Sequence, residues 1–121
     1  MSEHKIVVKR VSGDWVLGTV DDMEFEAKVY DEGSKFGIDA GRVSKLAVYR
    51  TKARGEIIAY ERGWDRYPRS PKHEEVLDAL TRFCESLPKQ STWRKTFHER
   101  VHRFLVTDDF VLEYDENGNP C

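Results

Sequence analysis

The sequence is poor in several things, and each shortage closes off a class of protein. It has 2 cysteines in 121 residues, too few for a disulfide framework. Cys121 is the final residue, and Cys84 falls among helical core positions, where a thiol is expected to pack rather than react. No apolar run approaches the length of a membrane span, and MSEHKIVVKR at the start lacks the apolar stretch of a signal peptide. A cytoplasmic protein with no membrane partner is the expectation. Hydrophobic residues make up only 39%, but aromatics reach 12%, so a small aromatic-rich core is expected rather than disorder. Gly33 to Gly41 holds three glycines without the Gly-Lys-Ser/Thr order or the following helix of a phosphate loop, so the glycines read as turn geometry. Serine, cysteine and histidine form no nucleophile pattern. There is no internal repeat and no long linker, and the length suits a single domain over 1–121.

What is present is a run of strand patterns. Lys5 to Val11 and Trp15 to Val20 are joined by Ser12-Gly13-Asp14, with Gly18 expected to break the second. Met23, Phe25, Ala27 and Val29 alternate with Glu24, Glu26, Lys28 and Tyr30, the period of a strand with one apolar face. Lys35 to Ile38 is short and apolar, and Gly37 within it marks a bulge or a close backbone approach. Arg42 to Arg50 and Glu56 to Glu61 are further strands; the faces of the former are both mixed, so its buried side stays open. Short turns require antiparallel pairing. Helical signals follow. Ser70-Pro71 is a cap and first turn, Glu74 and Glu75 suit the helix dipole, and Val76, Leu77, Leu80, Phe83, Cys84 and Leu87 keep helical spacing up to Pro88. Ser91 or Thr92 caps a second helix with a stripe of Trp93, Phe97, Val101 and Phe104. Phe110 to Tyr114 reads as a last strand. The expected fold is therefore α+β: an antiparallel meander of five to six strands over roughly 4–62, two helices at 71–87 and 92–105 packed on one face, then a short strand and an acidic tail over 108–121.

Net charge is −2, yet the charges are segregated. Residues 42–72 carry 9 basic and 3 acidic side chains, while 108–121 carries −5. Separate basic and acidic surfaces steer partners even when the total is near neutral. The basic segment interleaves aromatics: Arg42, Lys45, Arg50, Lys52, Arg54, Arg62, Trp64, Arg66, Tyr67 and Arg69. Cations neutralise phosphates and aromatics stack on bases, so Arg42, Lys45, Arg62, Trp64 and Arg66 are candidates for binding a nucleotide or nucleic acid. The plainer alternative is a solvated sheet face with Trp64 as a lid over the first helix. In the tail, Asp108, Asp109, Glu113, Asp115 and Glu116 are candidates for contacting a partner's basic channel, against simple solvation.

His98-Glu99-Arg100-Val101-His102 matches H-E-x-x-H, in which two histidines one helical turn apart hold zinc and the glutamate acts as base. Arg100 is a cation inside the motif, no third ligand is evident, and both histidines flank the apolar stripe. The expectation is a helix-surface pair with no cofactor. His98 and His102 are the candidates should zinc be found, and a small zinc hydrolase is the third function.

W-x-x-G-T from Trp15, F-x-A-K-V-Y-D-E-G-S-x-F-G-I from Phe25, G-R-V-S-K-L from Gly41 and Y-x-R-G-W-D from Tyr60 together resemble a family of short bacteriophage and prophage proteins of unknown function, over roughly residues 15–87. The resemblance implies a small accessory protein of a phage or mobile element, acting in the cytoplasm of a bacterial host. With no catalytic set in view, the expected role is non-enzymatic: a monomer or homodimer that binds and inhibits a host protein or nucleoprotein, with a CRISPR effector as the concrete case. Nucleic-acid or nucleotide binding through residues 42–69 is the alternative.

Overall fold

The structure, a computed structural model, describes residues 3–50, 55–87, 89, 102–107 and 111–114. Its centre is one antiparallel sheet. The strands are β1 (His4–Ser12), β2 (Trp15–Val20), β3 (Met23–Val29), β4 (Val43–Tyr49), β5 (Glu56–Glu61), β6 (Trp64–Arg66), β7 (His102–Val106) and β8 (Val111–Tyr114), with one α-helix, α1 (Pro71–Ser86), among the described residues. The spatial order is β6-β5-β4-β3-β2-β1-β7-β8. Strands β1 to β6 thus form a meander, and α1 carries the chain back across β4, β3 and β1 toward the far side, where β7 pairs with β1.

This corrects the expected fold. There are eight strands rather than five or six, and one described helix rather than two. Residues 102–105, expected as the end of a second helix, are strand; the rest of that helix, 92–101, lies outside the described residues. The reason is in the pattern of His102–Val106. Phe104 and Val106 are buried while Arg103 and Leu105 are half-exposed, which is a period of two. Phe104 also falls three residues after Val101, so a helical stripe and a strand face coincide on it, and only the free edge of β1 decides between them. The short β6 has too few residues to show any period. Lys35 to Ile38 is a loop ending in the 3-10 turn Ile38–Ala40, not a strand.

One face of the sheet is the core. Ile6, Val8, Val16, Val20, Met23, Phe25, Ala27, Leu46, Val48, Ile58 and Phe104 meet Val76, Leu80, Phe83 and Cys84 of α1. The register of β4 settles its faces: Ser44, Leu46 and Val48 are buried, while Lys45, Ala47 and Tyr49 look the other way, half-exposed. Gly18 does not break β2. It sits opposite Val8, where β1 has a bulge, and a Cβ there would lie 1.9 Å from the Val7 carbonyl oxygen; no side chain fits between two backbones at that separation. Gly37 is likewise a close approach, its missing Cβ 1.8 Å from the Gly41 carbonyl oxygen.

Helix α1 starts as its sequence dictates. Ser70 is extended, its Oγ accepts from the His73 amide at 3.1 Å, and Pro71 occupies the first turn. Its other end is held from outside. The Arg42 side chain donates to the carbonyls of Glu85 (3.0 Å), Leu87 (2.6 Å) and Tyr30 (2.7 Å), and the Arg42 amide donates to Glu85 Oε2 at 2.7 Å. A fixed cation on the last carbonyls satisfies acceptors the helix cannot and complements the dipole. No helix among the described residues is long and apolar enough to cross a membrane.

Candidate functional site

The β5–β6 hairpin and the loop before β4 build an aromatic edge. Arg62 turns the hairpin with φ of 57°, its amide bonded to the Ser44 carbonyl at 2.9 Å and the Glu61 amide to the Gly63 carbonyl at 2.8 Å. That turn places Trp64 against Tyr60, edge to face at 5.1 Å and 76°. Tyr67 then stacks on Trp64 at 4.9 Å and 21° while staying 63% exposed. Tyr60 is buried, but its hydroxyl reaches out to donate to the Phe36 carbonyl at 2.8 Å. This fixes the loop that carries Phe36, whose ring is 39% exposed beneath the Arg62 guanidinium at 4.2 Å, with Lys35 Nζ at 5.1 Å. Cation–π contacts of this kind orient both partners. The result is two outward-facing rings, Phe36 and Tyr67, each locked by neighbours, with Arg62, exposed Arg66 and exposed Arg69 around them.

The basic cluster expected from the sequence is therefore divided. Arg62, Trp64 and Arg66 stay together at this edge with Tyr67 and Arg69. Arg42 is turned onto the end of α1 and fully engaged there. Lys45 is on the opposite face, 3.2 Å from Glu61. Arg50 is exposed at the end of β4. Lys52 and Arg54 lie outside the described residues. That opposite face carries an open cleft of about 520 Å³ bounded by Trp15, Glu26, Lys45, Tyr49 and Glu61. Burial, then Glu26 and Glu56, push the Tyr49 phenol up, and Lys28 lies over the rings of Trp15 (5.9 Å) and Tyr30 (5.4 Å). Lys45 and Lys28 on this face are thus engaged with a local carboxylate and local rings.

Of the acidic candidates in the tail, only Glu113 is described. It belongs to β8 and lies 2.6 Å from His102 Nδ1 across the β7–β8 pair; Asp108, Asp109, Asp115 and Glu116 are outside the described residues. His102 is a strand residue, so the helical spacing behind the zinc reading does not reach it, and His98 is outside the described residues. Among the described residues no group of three or more His, Cys, Asp or Glu is placed to hold a metal ion. Burial pushes the Cys84 thiol up to about 12, where it is no nucleophile at neutral pH.

Sequence reasoning missed Phe36 and Tyr60. Phe36 sits in a glycine-flanked loop that reads as turn, and nothing local joins it to Tyr60 across 24 positions. The missed His4–Asp21 pair, 2.8 Å between Nδ1 and Oδ2, had a faint signal: His4 is in phase with Ile6 and Val8 on the buried face of β1.

The chain matches the model of a family described as a domain of unknown function (DUF7678) over residues 14–85, and it belongs to that family. The match runs from the β1–β2 turn to the last turn of α1, so β1, β7 and β8 lie outside it. No curated protein and no solved structure matches the chain.

Proposed function

We propose that this protein is a non-enzymatic binder that engages a macromolecular partner through the edge formed by Phe36, Arg62, Trp64, Arg66 and Tyr67. The observation that carries this reading is the locked exposure of Tyr67 and Phe36. Leaving two rings in water at a surface is costly, and holding each in one orientation adds to the cost. Rigid aromatics beside arginine are the side chains that dominate binding energy at interfaces, because they bury much area and lose little freedom on docking. The resemblance of its motif string to phage and prophage proteins adds the context: an accessory protein of a mobile element, working inside a bacterial host against a host protein or nucleoprotein. Inhibition of an antiviral nucleoprotein, such as a CRISPR effector, is its concrete form. A second reading, single-stranded nucleic acid, is favoured by Tyr67 alone: one ring face rests on Trp64 and the other is open for a base, with Arg66 and Arg69 near enough in sequence to meet phosphates.

A photo-crosslinking residue at Tyr67, used in bacterial lysate with and without nuclease, tests the proposal. The expected result is one crosslinked protein in both lysates, lost when Arg62→Ala and Trp64→Ala are added. Crosslinks only to nucleic acid, with oligonucleotide binding that weakens as salt rises, would select the second reading. No crosslink from Tyr67 beyond that from an exposed control site such as Glu24 would overturn both.

A further inference from the structure

The sheet has two faces, and α1 packs on one of them. Among the described residues, no helix or strand lies over the other. Register tells which side chains stand on that open face, because directly paired residues of antiparallel strands point to the same side. Trp15, Leu17 and Thr19 of β2 stand on it, all half-exposed. On one side of them β1 offers exposed Lys5, Lys9 and Arg10, with Val7 between. On the other side β3 offers Glu24 and Glu26, and Glu56 of β5 follows beyond Tyr49. Lys28 and Lys45, at the far end of the face, are already engaged with Trp15 and Glu61.

The bulge in β1 sharpens this division. Val8 pairs with Gly18 and Arg10 with Leu17, so Lys9 is the extra residue. Val8 and Val11 both face the core, which leaves the two cations between them together on the open face. Unbroken alternation would have turned Arg10 inward. Lys9 and Arg10 accordingly border one shallow hollow with Leu17, Glu24, Glu26 and Tyr49. Cations thus gather on one side of β2 and carboxylates on the other. Like charges set side by side repel, so a sheet standing alone gains nothing from this segregation.

We infer that this open face is the interface of a homodimer, in which two sheets pack face to face about a two-fold axis running along β2. That rotation lays β2 on its own copy and β1 of each protomer over β3 of the other. Trp15 and Leu17 meet their own counterparts at the centre, and Lys9 and Arg10 face Glu24 and Glu26 of the second copy. A surface whose two halves complement each other is the kind that closes an isologous contact, and a foreign partner would have to carry the same division in reverse. The area suffices. Eight strands about 4.8 Å apart and about 20 Å long make a face of roughly 700 Å², near the ~800 Å² per partner of a standard interface. None of this depends on the aromatic edge.

The test is sedimentation of the full chain under reducing conditions, with charge reversals on each half of the face. The parent is expected to be a dimer at about 100 μM. Lys9→Glu/Arg10→Glu makes the face acidic on both sides of β2, and Glu24→Lys/Glu26→Lys makes it basic on both. Each variant alone is expected to dimerise at least about tenfold more weakly than the parent, and an equal mixture of the two to restore a dimer containing one chain of each. Leu17→Glu sets two like charges face to face on the axis and is expected to give a monomer. Thermal melting checks that each variant is folded; if a reversal does not melt cooperatively, Leu17→Glu decides alone. A monomeric parent at that concentration overturns the inference. So does a dimer that survives both the reversals and Leu17→Glu, or a mixture of folded reversals that stays monomeric.

Discussion

The guanidinium of Arg42 donates to carbonyls of Tyr30, Glu85 and Leu87, and so ties the connection between β3 and β4 to the last turn of α1. Removing it takes a donor from three acceptors, two of them at the end of a helix that cannot satisfy them itself. Arg42→Ala is expected to cost about 2–4 kcal/mol in urea denaturation, and Arg42→Lys to recover less than half of that, because an ammonium cannot fork to several carbonyls. The sequence ranks Arg42 with the other cations of its segment, since its partners lie 12 to 45 positions away and only the fold brings them near. Cys84 offers a second check at this scale. Its thiol keeps its proton up to about pH 12 when folded, against a usual value of 9.0. The folded state therefore binds more protons than the unfolded one between those values, and stability falls as pH rises from 9 toward 12. Cys84→Ala is expected to flatten that fall, read as the urea midpoint against pH, and in a Cys121→Ser background the native protein should leave Cys84 unlabelled by a thiol reagent at pH 8.

Among the elements, β7 shows where periodicity loses its power. The helix α1 was legible to within a residue, because Ser70-Pro71 and six apolar positions all point the same way. Strands β1 to β5 were legible too, as β-rich runs bounded by turn residues, with the clearest alternation in β3. For 102–106 the two periods overlap on Phe104, and the deciding partner, β1, lies about a hundred positions back. The two readings differ at Val106, which is outside the helical stripe yet 1% exposed in the strand. Val106→Ala is expected to cost about 2 kcal/mol, and Leu105→Ala, on the half-exposed face, half of that or less. Equal costs would mean that the strand face is not the one described.

At the scale of the whole molecule, the proposed binding edge would divide its work between charge and shape. The total of −2 gives little long-range pull of either sign, so attraction to an acidic partner must come from the local group of Arg62, Arg66 and Arg69. Half of this aromatic edge was readable in advance, because Arg62, Trp64, Arg66 and Tyr67 are neighbours in sequence. The other half was not, because Phe36 arrives through the Tyr60 hydroxyl and the Arg62 guanidinium, contacts that no local pattern encodes. The two halves should separate kinetically. Exposed charge acts on encounter, whereas a docked ring acts on escape. With the partner captured at this edge, Arg66→Glu is expected to slow association by about three- to tenfold at low salt and to lose its effect as salt screens it. Tyr67→Ala is expected to leave association nearly unchanged and to speed dissociation by about tenfold or more. Neither change touches the core, so both variants should melt within about 2 °C of the parent. If Tyr67→Ala slowed association and left dissociation alone, the ring would lie outside the docked interface, and the partner would be held by the cations instead.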